Sequence, residues 1–481
     1  MFPRSLALAV VCSITLAAAA QTALPSEPVE IGTQPQLFVD QYIVDNTWTL
    51  RYKTQHIDRV FHAPEKHLQN PLIKGAAGYV CIAHDAAVGQ YHLWYQTHIA
   101  GDDEAKTQYA IAYARSQDGL DWELPSLGLH EWNGSKDNNV VIRGKRGRAS
   151  SPWLLDVPVK DRRGYKYLLM YRDADGSHLV GTNDGVHFDP ASDQQIQHLH
   201  SDTQNAIVYD PHQRQYVMYC RAKAVYRAGQ TEMIDTGESR RVARIANQEL
   251  WSQWPRQAAN ILLPDELDTK ERYHAFYGMP TTVYAGTFFG FVWPFRWNDR
   301  IHTELAWSRD GIHFERHPLR PKLIDYGPPG AWDDEMVFAS SWAEVGDEWR
   351  IYYAGWDGPH NTRERTGGIG LATLRKEGFV SLRGPAGGGV VCTRVLTWPG
   401  GKLLVNATTG PAGQLTVRIS DADRKVLPGF DYADCVPFTG DSTAVQIAWK
   451  SASIEDLQGQ DLRLEIFIQD ADLYSFRATG E

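Results

Sequence analysis

Apolar and polar positions alternate along most of this chain in short runs, each closed by turn-forming residues, as strands with one buried face do. Five runs stand out because aromatic residues crowd them: Tyr91–His98 (YHLWYQTH), Tyr165–Asp173 (YKYLLMYRD), Gln215–Ala222 (QYVMYCRA), Phe288–Arg296 (FFGFVWPFR) and Glu348–Trp356 (EWRIYYAGW). Another strand-like run precedes each, often separated from it by a turn such as HDAAVGQ, DVPVKDRRG, DPHQRQ or VGDE. Three of the aromatic runs lead through a small-residue strand into a recurring box: SQDGLDW (Ser116–Trp122), TNDGVHF (Thr182–Phe188) and SRDGIHF (Ser308–Phe314). Asp-Gly is a tight-turn signal, because glycine takes the positive φ and the aspartate bonds the local backbone. These aspartates are therefore expected to form turns, not to do chemistry. After the third and fifth runs the box is degenerate, in RRVARIANQELWSQWP and GGIGLATLRKEGFVSL.

The unit is four antiparallel strands, repeated five times at an irregular spacing of about 50 to 75 residues. That describes an all-β fold with a five-bladed β-propeller, an irregular array of β-sandwiches being the alternative for the same pattern. No stretch sustains the 3.6-residue period of a long helix. Beyond residue 383 the boxes stop, and GGKLLVNATTGPAGQLTVRISDADRKVLPGF and LRLEIFIQDADLYSFRA alternate in the manner of a small C-terminal β-sandwich. The expected division is a leader at 1–20, a propeller at 21–383 that would carry the catalysis, and a sandwich at 384–481. Uneven spacing points to long inserts, as between Tyr226 and Glu238.

The leader is read from Arg4, the apolar stretch Leu6 to Leu16 and the small residues Ala18-Ala19-Ala20. It predicts a secreted or periplasmic protein, and no segment is long and apolar enough to span a membrane. A net charge of -10 with no Lys/Arg run argues against a nucleic-acid partner. The 16 Trp, 22 Tyr and 16 Phe suit both strands and sugar-stacking surfaces. Cys81, Cys220, Cys392 and Cys435 lack metal-ligand spacing, so structural zinc is not expected. Buried, unpaired cysteines are expected, Cys392 with Cys435 being the pair that a shared region would allow.

In a propeller the innermost strand of each blade lines the central channel, so chemistry belongs just upstream of those strands. Blade three offers Asp202 and Asn205 in SDTQN, a wholly polar stretch between strands; blade four offers Glu271 and Tyr277; blade five offers Asp334 and Glu335, then Asp357 and His360. Asp202, Glu271 and the Asp334/Glu335 pair are the candidate catalytic carboxylates, since glycosidic cleavage needs one acid for the leaving oxygen and one carboxylate to attack or activate water. Strand alternation sends Asp334 and Glu335 to opposite sides without saying which faces the funnel. Trp153, Tyr277 and Trp356 are candidate sugar-stacking residues, with Asn205, Asp357, His360 and His67 as candidate hydrogen-bonding partners of substrate. Each has a structural reading beside it, as core aromatic, turn cap or ion-pair partner. No cofactor is indicated; a calcium ion in the central channel is compatible with such a fold, but no residue pattern calls for one.

The opening LFVDQYIVD…RVFHAPEKHLQNPLI, the SDTQN stretch, YYAGWDGPH and the terminal LRLEIFIQDADLYSF resemble secreted bacterial proteins related to the N-terminal domain of invertase-type glycoside hydrolases. The resemblance spans nearly the whole chain after the leader and implies a five-bladed propeller with a β-sandwich behind it, acting on carbohydrate. The invertase Asn-Asp-Pro-Asn-Gly, Arg-Asp-Pro and Glu-Cys motifs have no counterpart here. Asn70-Pro71 lacks the acid and Asp210-Pro211 the arginine, so the candidate site rests on the residues named above. The expected function is an exported glycoside hydrolase of plant or algal poly- or oligosaccharides. A non-catalytic glycan-binding propeller and a glycoside phosphorylase are the alternatives, the latter needing Arg or His beside the acids, for which Arg272 and His274 are the local hint. Sugar, linkage and oligomeric state are not encoded in any pattern found.

Overall fold

The computed structural model describes residues 27–45, 57–75, 78–99, 107–199, 201–222, 224–225, 234–235, 240–271, 273–362 and 364–480. The leader and most of the insert between Tyr226 and Glu238 lie outside them. The alternating runs form five antiparallel sheets arranged as propeller blades. Blade one is Val80–Asp85, Gln90–Ile99, Gln108–Ser116 and Val140–Ile142; blade two is Ser150–Leu154, Tyr167–Asp173, Gly176–Thr182 and Gln194–Gln197. Blade three is Ala206–Asp210, Gln215–Ala222, Arg241–Asn247 and Ala259–Leu262. Blade four is Thr281–Tyr284, Thr287–Val292 and Thr303–Ser308, edged by Glu315–Arg316 and Lys322–Ile324. Blade five is Met336–Val345, Glu348–Trp356 and Gly367–Arg375. The aromatic runs are the second strands, and their rings fill the spaces between blades.

Blade five has no outer strand of its own. Glu65–Lys66 and Ile73–Lys74, from before blade one, pair with Gly367–Arg375 and close the ring. The degenerate run after blade five goes elsewhere: Val380–Gly384 pairs with Asp58–Phe61 and with the C-terminal strand Asp461–Ala478. Val29–Glu30 and Gln36–Leu37, expected within the propeller, also join the C-terminal sheet system, because two 18-residue strands, Leu403–Ser420 and Asp461–Ala478, present more edge than the tail alone can cover. These strands shift register near Asn406 and Thr409 and wrap one apolar core that runs from Val29 to Ala478. The chain is thus a five-bladed propeller followed by a β-sandwich. All four described cysteines are free and buried, Cys392 and Cys435 included.

The Asp-Gly boxes are turns, built alike. In the third, Asp310 Oδ1 accepts from Ser308 Oγ (2.9 Å), Ile312 N (2.9 Å) and His313 N (2.8 Å), while Gly311 holds φ +68°. Asp118 and Asp184 repeat the pattern. Each box also receives a bond from the neighbouring blade's aromatic strand. Tyr352 OH donates to Gly119 O (2.9 Å), Trp94 Nε1 to Gly185 O (2.8 Å) and Tyr219 OH to Gly311 O (2.8 Å). A Cβ on Gly119 or Gly311 would stand 2.6 or 2.7 Å from the tyrosine hydroxyl, so glycine is required twice over, for conformation and for approach. The box aromatic then packs edge-on against the same tyrosine, Trp122 on Tyr352 and Phe314 on Tyr219. The boxes are therefore blade-to-blade staples.

Burial works to raise the Asp310 carboxyl, but the bonds from His313, Ile312 and Ser308 bring it down to about 2. Its folded value lies below the roughly 3.9 of an unfolded aspartate, so its contribution is present above pH ~4 and lost as pH falls through ~2. Asp310→Ala is expected to cost about 1–3 kcal/mol at neutral pH. Calorimetric melting of both proteins across that acid window should find the gap between them closing as pH falls.

Candidate active site

Every blade sends a residue at or just before its innermost strand to one cavity: Tyr79 from blade one, Ser150 from two, Asp202 from three, Tyr277 from four and Met336 from five. This is the mouth of the central channel. The cavity measures about 370 Å³, at the lower end of the roughly 300–1,000 Å³ typical of small-ligand clefts. It suits a terminal sugar better than a long chain. Behind it Gln204, fully buried, donates to Val80 O (3.2 Å) and Pro152 O (2.8 Å), tying the inner strands of blades one and two to the approach to blade three. Tyr79 stacks on Trp293 at 5.7 Å and is edged by Phe338. Two non-glycine residues here have left-handed backbone, Tyr79 (φ +43°) and Ser151 (φ +56°). Ser151 sits in a bulge between Ser150 and Trp153 that turns Ser150 toward the cavity, and its N–H is held by Gln96 Oε1 at 3.0 Å. Such strain collects where surrounding structure must fix a functional surface.

Asp202 is the one carboxylate among the described lining residues, and it is surrounded by guanidinium groups. Arg172 Nη1 lies 3.2 Å from Oδ1, Arg221 Nη1 3.5 Å from Oδ2 and Arg240 Nη2 3.9 Å from Oδ2. Arg221 and Arg240 also donate to the Asp202 carbonyl, at 3.0 and 3.1 Å. The arginines are themselves positioned. Ser201 Oγ, bonded to Asn205 Oδ1 (2.6 Å), accepts from Arg221 N (2.8 Å), and the buried Asp173 carboxylate accepts from the backbone N–H groups of Arg146 (2.7 Å) and Arg148 (3.2 Å). Burial pushes the Asp202 carboxyl up, but Arg172, Arg221, Arg240 and Arg148 together hold it below the usual carboxylate range. It is an ionised group near neutrality.

Arg240 links this carboxylate to Tyr277, whose ring its guanidinium covers at 3.9 Å and whose OH lies 2.9 Å from His360 Nε2. Burial, then Arg240 and Arg365, pull the His360 imidazole down to about 4. Arg365 donates to the carbonyls of Pro359 (3.0 Å) and His360 (2.7 Å), fixing the loop, and lies over Trp356, which forms part of the cavity wall.

Of the residues singled out by sequence, Asp202, Tyr277, Trp356 and His360 meet in this cavity. The others are placed elsewhere. Glu271 caps the short helix Glu266–Lys270 and is exposed. Asp334 accepts from Gly330 N (2.6 Å), and Glu335 pairs with Arg300 at 3.0 Å; neither is among the lining residues. Asp357 accepts from Thr366 N in an exposed turn. Trp153 is core: it is buried, and its indole donates to Ile207 O (3.0 Å) across the seam between blades two and three. Asn205 is buried behind the cavity, and His67 lies beside the closing strand of blade five, its N–H on Leu371 O. The expected cluster of carboxylates is thus not assembled, because the blade-five acids and Glu271 are spent on local turns, a helix end and an arginine. Arg272 and the His274 side chain lie outside the described residues. The described residues include one group with metal-ligand spacing, Asp173, Asp175 and His178, but His178 is bonded to Asp175 and Asp193 (both 2.9 Å) and Asp173 serves the loop that carries Arg148.

The sequence matches no family model and no curated protein. Solved structures that resemble the fold include one named a glycoside hydrolase (14% identity, covering 68% of this chain and 93% of its own, TM-score 0.44). Another is a xylan β-1,4-xylosidase from Bacillus halodurans C-125 (12% identity, 85% and 99%, TM-score 0.42). A third comes from work on the GH130 family of mannoside phosphorylases, described as containing hydrolases of β-1,2 mannosidic linkages (11% identity, 66% and 94%, TM-score 0.44). At these values the likeness bears on neither substrate nor chemistry, which rest on the cavity itself.

The residues that sequence reasoning missed are arginines. Arg172 and Arg221 end otherwise apolar second strands, YLLMYR and YVMYCR, five positions after a tyrosine, and Gln96 holds the same place in YHLWYQ. A polar residue at the channel end of an apolar strand was the available signal. The electrostatic picture predicts that His360 stays neutral well below ordinary histidine values. In an NMR pH titration its ring signals should hold from about pH 8 to 5 and move near pH 4, and Arg240→Gln should shift that midpoint upward.

Proposed function

We propose that this chain is an exported glycan-active enzyme that cleaves a terminal sugar from plant or algal poly- or oligosaccharides, with Asp202 as its catalytic carboxylate. The observation that carries the reading is an ionised carboxylate set between aromatic and hydroxyl-bearing walls in a sugar-sized cavity at the channel mouth. An ionised carboxylate supplies one half of glycosidic cleavage: it stabilises the oxocarbenium-like ring and activates or replaces the attacking water. In this reading the proton for the leaving oxygen comes from Tyr277. Arg240 lies over the Tyr277 ring, and a proton given up by the hydroxyl can be replaced through His360, whose Nε2 is 2.9 Å away. A second reading, a non-catalytic glycan-binding propeller, is favoured by the single carboxylate among the described lining residues where a glycosidase usually presents two.

A glycan panel with the mature protein separates these readings, turnover supporting the enzyme and binding without turnover the module. Phosphate-dependent release would make the reaction phosphorolysis. On a turned-over substrate Asp202→Asn should lower kcat by roughly 10²–10⁴-fold. Tyr277→Phe should lose about 10²-fold on natural linkages and recover on aryl glycosides, whose leaving groups need no proton. Equal losses on both substrate types would remove Tyr277 from that role. Because Asp202 and His360 both titrate below the ordinary range, kcat/KM should show no acid limb between about pH 5 and 7; a limb near pH 6 would contradict the assignment.

A further inference from the structure

We infer that Gln96 is a substrate-binding residue, whose side-chain amide donates to a ring hydroxyl of the sugar and so helps set which sugar the cavity accepts. This deepens the glycan-active reading and rests on it for the class of ligand, whether or not the sugar is then cleaved.

Gln96 ends the apolar run YHLWYQ on the second strand of blade one and lines the cavity, although it is only 8% exposed. Both left-handed non-glycine residues at this end of blades one and two are bonded to it. Its backbone N–H is shared between the carbonyls of Gly78 (3.0 Å) and Tyr79 (3.1 Å), and its Oε1 accepts from Ser151 N (3.0 Å). Backbone strain of this kind persists only where neighbouring bonds over-determine it, and here one residue supplies those bonds to two blades. The Ser151 bond also fixes the amide. A backbone N–H can only donate, so the end of the amide that meets it is the oxygen, and the NH₂ group is the end left over. Among the described residues that NH₂ group has no hydrogen-bond partner. A ligand that displaces water from such a fixed donor gains affinity only if it brings an acceptor of its own, which makes the donor a selecting contact.

Of the acceptors a ligand could bring, a hydroxyl fits this cavity. The ionised Asp202 carboxylate borders the same space with its side chain 44% exposed, so it takes a proton from a ligand and repels a second anion. A sugar ring answers both groups, one hydroxyl accepting from Gln96 and another donating to Asp202. A ligand carboxylate can answer only the first.

The test is calorimetric titration of the mature protein with the methyl glycosides of xylose, arabinose, galactose, glucose and mannose, then with the monodeoxy and monofluoro derivatives of the tightest binder. At one ring position the deoxy sugar should bind roughly ten-fold more weakly than its parent. Fluorine accepts but cannot donate, so the fluoro sugar of that position should bind at least as well as the deoxy one. In Gln96→Met the parent and deoxy affinities should come within about two-fold of each other. General loosening of the wall would weaken both sugars alike and leave their ratio where it was. Gln96→Glu keeps an acceptor for Ser151 N but sets a carboxylate oxygen against the ligand, and it should bind the fluoro sugar several-fold more weakly than the deoxy one. Either variant decides if the other does not fold. Three results would each overturn the role of Gln96 and leave the glycan-active reading standing: a parent-to-deoxy ratio preserved in Gln96→Met, a fluoro sugar bound no worse than the deoxy one by Gln96→Glu, or no discrimination by the wild type at any position. Failure of every glycoside to bind the wild type would sink the glycan-active reading, and the role of Gln96 with it.

Discussion

The cavity exists only because the ring closes. Blade five ends at Gly367–Arg375, an edge whose open backbone groups need a partner, and the partner is chain from before blade one. The closing segment ends at Lys74 and the innermost strand of blade one starts at Val80, so closure also sets Gly78 and Tyr79 at the cavity wall. Two strands of two residues each are a weak latch by themselves. The sandwich reinforces it. Upstream of the latch the same N-terminal chain is bound into the C-terminal sheets, through Val29 opposite Leu396, Gln36 opposite Phe476 and Asp58 opposite Arg383. Asp40 adds a paired contact to Arg309, inside the third box, at 2.8 and 3.1 Å. The buried Glu377 accepts from Tyr284 of blade four and from Ser475 and Arg477 of the sandwich, joining the two bodies at one carboxylate. Through these contacts the C-terminal domain clasps the ring.

Placing arginines at the channel ends of apolar strands has an electrostatic consequence. Arg172 and Arg221 are buried where water cannot solvate them well, and the desolvation of such a group is worth several kcal/mol. Asp202 compensates part of it, which is why that carboxylate remains ionised despite its position. The same field that fixes the protonation of Asp202 also selects against a second carboxylic acid of ordinary function beside it, since any acid there would be ionised too. If the cavity cleaves glycans as proposed, the leaving-group proton has to come from a hydroxyl or from the substrate.

The ring was legible because its signals are local. Period-two alternation, aromatic second strands and the Asp-Gly turns each declare themselves within a few residues. Asp202 was legible for the same reason, as a polar island between two strands. The closing strands were not, since Glu65–Lys66 and Ile73–Lys74 are too short to alternate and owe their conformation to an edge some 300 residues away. Asp334 and Glu335 looked like site acids because nothing near them in sequence hints at Arg300, which arrives from the preceding blade. The arginines were hidden by their company: at the end of a run such as LLMYR a charge reads as the strand leaving the core, whereas in a propeller that end points at the channel.

The seams between blades show why Trp153 belongs to the framework and not to the ligand. The three intact boxes fasten blade five to one, one to two and three to four. The two remaining seams, two to three and four to five, are those whose later blade has a degenerate box. There an indole near the axis does the fastening, Trp153 Nε1 to Ile207 O and Trp293 Nε1 to Ala339 O, both at 3.0 Å. Losing a peripheral turn thus goes with gaining an inner bond, and the inner position is the one that bears on the site. Ile207 lies on the strand that Asp202 precedes, and Gln204 between them crosses to Pro152 of the same blade as Trp153. The carboxylate is therefore held beside a seam tied at its inner strands, where a shift between blades two and three would otherwise move Asp202 against Arg172. An aromatic ring committed to that bond, with its faces buried between two sheets, has no surface left for a sugar.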